Sequence, residues 1–138
     1  MDDEAPLAIE GIALDLIAET SRNRKKVSVE QQLPWLRLAR DFINDEFAQP
    51  LTLSVIADSV KVHPVYLANS FRRRYGCSVG EYLRQCRIEF ACHRISDSKD
   101  SLAEVALAAG FSNQSHFSRT FKRVTGLTPA CYRATLRA

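Results

Sequence analysis

Gln114, Ser115, Ser118, Arg119 and Lys122 recur at intervals of three and four residues, which puts them on one face of a helix. An amide, two hydroxyls and two cations are hydrogen-bonding groups with no activated nucleophile among them. Their chemistry is recognition. A guanidinium matches both acceptors of guanine, and a carboxamide matches the acceptor and donor of adenine. Arg119 is the candidate for guanine and Gln114 for adenine, with Ser115 and Ser118 adding weaker contacts. Val65, Ala68, Asn69 and Arg72 show the same spacing. There Asn69 is the amide reader, and Val65 and Ala68 are placed to meet thymine methyl groups. Arg72, Arg73, Arg74, Lys122 and Arg123 suit phosphate oxygens, which ask for charge rather than base-specific geometry. The competing reading is that these residues are solvated helix surface.

The charge distribution favours the polyanion. Residues 1–60 hold 6 Lys/Arg against 11 Asp/Glu, whereas residues 61–138 hold 13 against 5. Only the C-terminal half is therefore expected to meet nucleic acid. At 46% hydrophobic and 25% charged, the chain has the composition of a packed globular protein and not of a disordered one. It has no apolar run of membrane-spanning length, and its Met1-Asp2-Asp3-Glu4 start has the wrong charge for a signal peptide. Cys77, Cys86, Cys92 and Cys131 form no CxxC pair, so a zinc ribbon or thioredoxin-like site is not expected. Cys86, Cys92 and His93 share one helical stretch, but reduced, partly buried thiols are the simpler reading. With no nucleophile–base pair, phosphate loop or paired carboxylates at motif spacing, neither an enzyme nor a bound cofactor is expected.

An internal repeat positions both polar faces. Leu53, Ile56, Ala57 and Val60 match Leu102, Val105, Ala106 and Ala109 at an offset of 49. Phe71, Gly76, Ser78 and Tyr82 match Phe121, Gly126, Thr128 and Tyr132 at an offset of 50, so one extra residue belongs to the connection between the two blocks. Each copy reads as a short helix, a tight turn and a longer helix. Ser101 and Glu104 form a capping-box pattern, and Thr52 is the corresponding cap. Gly110 suits a sharp helix end. Lys61 stands at the corresponding place and implies mild strain. Ser112 or Asn113 is expected to cap the helix that buries Phe117, Thr120, Phe121 and Val124, and Pro64 to open its counterpart that buries Leu67 and Phe71. His116 falls on or near the inward face.

Residues 78–96 read as one long helix with two apolar stripes, one along Val79, Tyr82, Leu83, Cys86 and Phe90, the other along Ile88, Ala91, Cys92 and Ile95. Upstream, Trp35, Leu38, Ala39, Phe42, Ile43 and Phe47 predict an amphipathic helix opened by Pro34. Residues 5–20 predict a further helix too apolar for free solvent, followed by the basic stretch 21–26 as a linker. The expected fold is all-α: two tandem helix-turn-helix subdomains joined by a long central helix, plus an N-terminal helix. The expected boundaries are 1–30 for the N-terminal helix and linker, 31–84 for the first subdomain, 78–96 for the connecting helix and 97–138 for the second subdomain.

The run from Ala109 to Lys122, AGFSNQSHFSRTFK, resembles the DNA-binding region of the AraC/XylS family of transcription regulators. So do Gly126-Leu127-Thr128-Pro129 and Tyr132-Arg133 after it, and Tyr66-Leu67, Phe71-Arg72, Tyr75-Gly76, Tyr82-Leu83 and Arg87 before it. The resemblance covers about residues 33–134. It implies a bacterial, cytoplasmic regulator, nucleoid-associated when bound, whose two second helices enter the major groove of duplex DNA. It also implies contact with RNA polymerase, as for many activators, and an N-terminal ligand-binding or dimerisation domain. Residues 5–20 look like the last helix of such a domain and suggest a homodimer contact. Lys61 and His63 depart from the family's glycine and small cap. An RNA or single-strand binder is the weaker alternative, because the aromatic residues follow core spacing rather than forming a stacking surface.

Overall fold

A computed structural model describes residues 33–137. Among them there are seven helices and no strand: α1 (Pro34–Glu46), α2 (Leu53–Ser59), α3 (Pro64–Tyr75), α4 (Val79–Asp97), α5 (Leu102–Ala108), α6 (Gln114–Thr125) and α7 (Pro129–Arg137). No described helix is long and apolar enough to cross a membrane. The expected N-terminal helix at 5–20 and the linker after it lie outside the described residues. The chain divides into two units, the first ending at Leu83 and the second starting at Arg84, so the division falls inside α4.

In the first unit α1 packs on α2 and α3. Leu36, Ala39 and Ile43 of α1 are buried, as are Ile56 and Ala57 of α2 and Leu67, Phe71 and Tyr75 of α3. One expectation is corrected here: Leu38 is 59% exposed, and Leu36 takes its place in the core. Ala39 and Ile43 are buried as expected, so the inward stripe of α1 differs only at its edge, where Leu36 replaces Leu38. Trp35, at the flank of that stripe, instead lies against the Tyr66 ring, with centroids 5.2 Å apart. Phe71 meets both Tyr75 and Tyr82 at tilted or edge-on angles, and the Tyr82 hydroxyl donates to Asn44 Oδ1 at 2.9 Å.

The second unit is built on the other stripe of α4. Ile88, Ala91 and Ile95 pack with Val105, Ala106, Ala109, Phe111, Phe117 and Phe121. An aromatic chain runs through this core: Phe111 to Phe117 at 5.3 Å, Phe117 to Phe121 at 5.6 Å, and Phe121 to Tyr132 at 5.6 Å. Each fully buried aromatic contributes about 1.5–3 kcal/mol over its exposed state. The connection from α4 to α5 is tied from both sides. Arg94 Nε pairs with the Asp100 carboxylate at 2.7 Å, and Arg133 Nη2 donates to the Asp100 carbonyl at 2.6 Å. That fixes where Ser101 begins α5.

The duplication extends to the backbone hydrogen bonds. Val62 N–H donates to Ala57 O at 3.1 Å, and Phe111 N–H donates to Ala106 O at 3.0 Å. Gly76 N–H donates to Arg72 O at 2.9 Å, and Gly126 N–H to Lys122 O at 2.8 Å. Both glycines are left-handed C-caps, with φ of 79° and 88°. The extra residue sits in the turn, which spans 60–63 in the first unit and 109–113 in the second. Lys61 has φ of 59° and Gly110 has φ of 102°, so the strain expected at Lys61 is present.

Candidate nucleic-acid interface

Each unit presents its longer helix, α3 or α6, after a capped start. Asn113 Oδ1 accepts from His116 N at 2.8 Å, which fixes Asn113 and not Ser112 as the cap of α6. In α3 the residue before Pro64 must cap, and His63 does so: its Nδ1 accepts from Val65 N at 3.1 Å. That bond requires the neutral tautomer with its proton on Nε2. Pro64 was legible as the first helical residue, and the signal for His63 is simply that it precedes it. Thr52 accepts from Val55 N at 3.2 Å, and Ser101 and Glu104 form the full capping box of α5. A second box, at Ser78 and Glu81, follows the same Ser-x-x-Glu pattern. Glu81 N donates to Ser78 Oγ at 3.0 Å, and Ser78 N donates to Glu81 Oε1 at 2.7 Å, which starts α4.

On α6, burial of Phe117, Thr120 and Phe121 turns the opposite side outward. Gln114, Ser115 and Arg119 are exposed and Ser118 half-buried, and together these four line one shallow, open depression. The proposed readers of the second unit are thus brought together. Lys122 and Arg123 are exposed in the last turn, where their charge also complements the C-terminal end of the helix dipole. His116 is exposed, not inward. It touches the core only edge-on, with its ring 5.3 Å from that of Phe111.

The outward side of α3 is less polar. Val65 is 58% and Tyr66 47% exposed, Asn69 is exposed and Ala68 half-buried. Ala68, Asn69 and Arg72 line a groove with residues from α2 and the start of α4, among them Ile56, Val79 and Leu83. Arg72 and Arg73 are exposed. Arg74 is half-buried, with its guanidinium over the Tyr75 ring at 5.3 Å, where Arg40 also lies at 5.2 Å. Val65, Arg73 and Arg74 therefore stand apart from the groove that holds Ala68, Asn69 and Arg72.

Burial pushes the Cys77 thiol up to about 11, with Glu81 adding to the rise, and burial does the same for Cys92. Burial also lowers the pKa of Arg87, whose guanidinium lies over the Phe111 ring at 5.7 Å. Among the described residues no group of three or more His, Cys, Asp or Glu is arranged to hold a metal ion. The polar groups gathered at the surface are donors and acceptors suited to nucleic acid.

Comparison with known proteins agrees with this architecture. A family model described as a helix-turn-helix domain matches residues 56–135. The chain is 31% identical over 96 residues to the regulatory protein SoxS of Salmonella typhimurium, covering 70% of this chain and 90% of SoxS. It is 29% identical over 99 residues to the bifunctional transcriptional activator/DNA repair enzyme AdaA of Bacillus subtilis, covering 72% of this chain and 47% of AdaA. The chain thus spans about half the length of that relative. Among solved structures, the C-terminal domain of AraT, a response regulator from Geobacillus stearothermophilus, superposes with a TM-score of 0.73 at 34% identity, covering 74% of this chain and 85% of that one. The chain belongs to the AraC/XylS family of transcription regulators and carries its helix-turn-helix DNA-binding domain.

Proposed function

We propose that the chain regulates transcription by binding specific duplex DNA, with α3 and α6 entering successive segments of the major groove. One observation carries this reading: the surface of α6 gathers Gln114, Ser115, Ser118 and Arg119 in a single open depression on a rigidly capped helix. Helix-turn-helix units read bases from the N-terminal part of the second helix, and these residues occupy its first two turns. Arg119 is assigned to guanine and Gln114 to adenine, with Asn69 as the amide reader of the first unit. Val65 and Ala68 contact thymine methyls. Arg72, Arg73, Lys122 and Arg123 hold phosphates, and Arg74 contributes less because it also covers Tyr75.

The same reading makes the chain a non-enzymatic, cytoplasmic regulator. Cys77 and Cys92 are poor nucleophiles, since burial keeps both as thiols near neutral pH. RNA polymerase is the expected protein partner, and residues 5–20 supply a homodimer contact. Selection of random duplexes on the full chain tests the DNA reading. The expected result is an enriched site with two parts about one helical turn, roughly 34 Å, apart. Absence of any enrichment, with weak and steeply salt-dependent binding, would leave only a generic basic surface.

A further inference from the structure

We infer that the first unit senses the C5-methyl groups of pyrimidines, so that cytosine methylation in the DNA site strengthens binding as thymine does. The inference rests on the DNA-binding reading above and deepens it, by naming a covalent mark on the DNA that α3 would distinguish. The internal repeat supplies the comparison. At the offset of 50, Ser115 and Ser118 of α6 correspond to Val65 and Ala68 of α3. Two hydroxyls on one helix are thus two aliphatic side chains on the other. Val65 stands exposed in the first turn of α3, and Ala68 is half-buried one turn further on. Tyr66 is exposed in the same first turn, with its ring held against Trp35.

An aliphatic side chain offers no hydrogen bond to a base edge. In the major groove the apolar group that a base presents is the C5-methyl of thymine. Cytosine carries only hydrogen at that carbon, and methylation there adds the same methyl while leaving its amino donor unchanged. A side chain that selects thymine through its methyl therefore also favours 5-methylcytosine over cytosine. The surroundings select DNA over an apolar protein partner. Asn69, Arg72 and Arg73 are exposed at helical spacing beside Val65, and residues 61–138 hold 13 Lys/Arg against 5 Asp/Glu. Burying one methyl-sized carbon corresponds to about fourfold in affinity.

The test uses the full chain and the selected duplex. A chelated-iron cleavage probe on Cys131, the exposed cysteine, which lies in α7, marks the half of the site that belongs to the second unit. Deoxyuridine then replaces thymine one position at a time, removing the methyl and keeping every hydrogen-bonding group. At the most sensitive position, duplexes with cytosine and with 5-methylcytosine are compared. In the half left to the first unit, deoxyuridine is expected to cost about fourfold at one or two positions, and 5-methylcytosine to bind about fourfold tighter than cytosine. Val65→Ser is expected to bring thymine and deoxyuridine within about twofold of each other, and Ser115→Val to create a thymine preference in the other half. Absence of thymine from the first unit's half, or deoxyuridine effects there below about twofold, would overturn the inference and leave the apolar surface to a protein partner. Methyl effects equal in both halves would overturn it too, because they belong to the shape of the duplex. So would a thymine preference that survives both Val65→Ser and Ala68→Ser. A selected site without methyl effects removes this inference alone, whereas failure to select any site removes the DNA-binding reading and the inference with it.

Discussion

The two helix-turn-helix units share one hydrogen-bond skeleton and differ in what they show outside it. In the second, Gly110 makes the turn, Asn113 caps the recognition helix, and the outward face carries an amide, two hydroxyls and a guanidinium. In the first, a strained Lys61 makes the turn, the imidazole of His63 caps, and the outward face of α3 carries Val65, Tyr66, a single amide and the Arg72 guanidinium, with no hydroxyl of a serine or threonine. Equal backbones with unequal faces imply unequal duties. The second unit has the polar variety needed to discriminate bases, and the first has one amide beside a mixed groove. Duplication preserved the buried positions, since packing tolerates little change, and left the surface positions free to diverge.

The comparison breaks most visibly in the cores. Phe121→Ala and Phe71→Ala each remove a fully buried ring, and each is expected to cost about 3–5 kcal/mol. Hydrogen exchange reads where the loss falls. Phe121→Ala is expected to strip protection from α5–α7 while α1–α3 stay protected, and Phe71→Ala to do the reverse. Loss of all protection together in either variant would show one cooperative transition, and the units would then not be separable in stability.

Base reading is the next largest difference. Arg119→Ala is expected to cost about 1–3 kcal/mol on the selected duplex and to relax preference at one base position. Asn69→Ala, which removes the amide proposed as the reader of α3, is expected to cost about 1 kcal/mol or less. Affinity measured on a panel of single-base variants of the selected duplex checks both. An equal loss on every duplex after Arg119→Ala would move that residue to a phosphate. A larger, position-specific loss after Asn69→Ala would make the first unit the principal reader.

Much of this difference was legible in the sequence. The helical spacing of Phe117, Thr120 and Phe121 fixes which side of α6 is outward, and the positions proposed as readers follow from that. The capping box at Ser101 and the helix-opening Pro64 are local signals, and local signals survive folding. Periodicity was less decisive at the edge of α1, where Leu36 and Leu38 compete beside the shared inward positions Ala39 and Ile43. Both leucines are apolar, and which one is buried depends on packing against α2 and α3, elements that come later in the chain. The groove was illegible for the same reason: its lining comes from 51–56, 68–72 and 78–83, three stretches that carry no shared pattern.

Buried polarity offers a finer test. Thr120 is fully buried, and its Oγ1 has no hydrogen-bond partner. The corresponding position in the first unit is Ser70, also buried. A buried hydroxyl left without a partner destabilises, whereas an apolar group of the same shape does not. Thr120→Val is therefore expected to stabilise the second unit by about 1 kcal/mol in urea unfolding. It is expected to leave DNA affinity unchanged, because the side chain faces the core. A destabilised variant would mean that the hydroxyl is satisfied by water in solution.

The smallest effect concerns the turn, where the units differ by a single backbone feature. Lys61 at φ of 59° lies at the centre of the left-handed region, which costs a side-chain-bearing residue about 1–2 kcal/mol. Glycine removes that strain but makes the unfolded chain more flexible, at a cost of about 0.5–1 kcal/mol. Lys61→Gly is thus expected to gain only about 0.5 kcal/mol, the difference between the two. The reverse exchange is not symmetric. Gly110 has φ of 102°, well outside the left-handed minimum near 57°, so Gly110→Ala must either distort the turn or hold alanine where its Cβ is excluded. Urea midpoints for the two variants measure the asymmetry directly. A loss of stability in Lys61→Gly would show that the lysine side chain contributes contacts that offset its backbone strain. A neutral Gly110→Ala would show that the longer 109–113 turn relaxes where the 60–63 turn cannot.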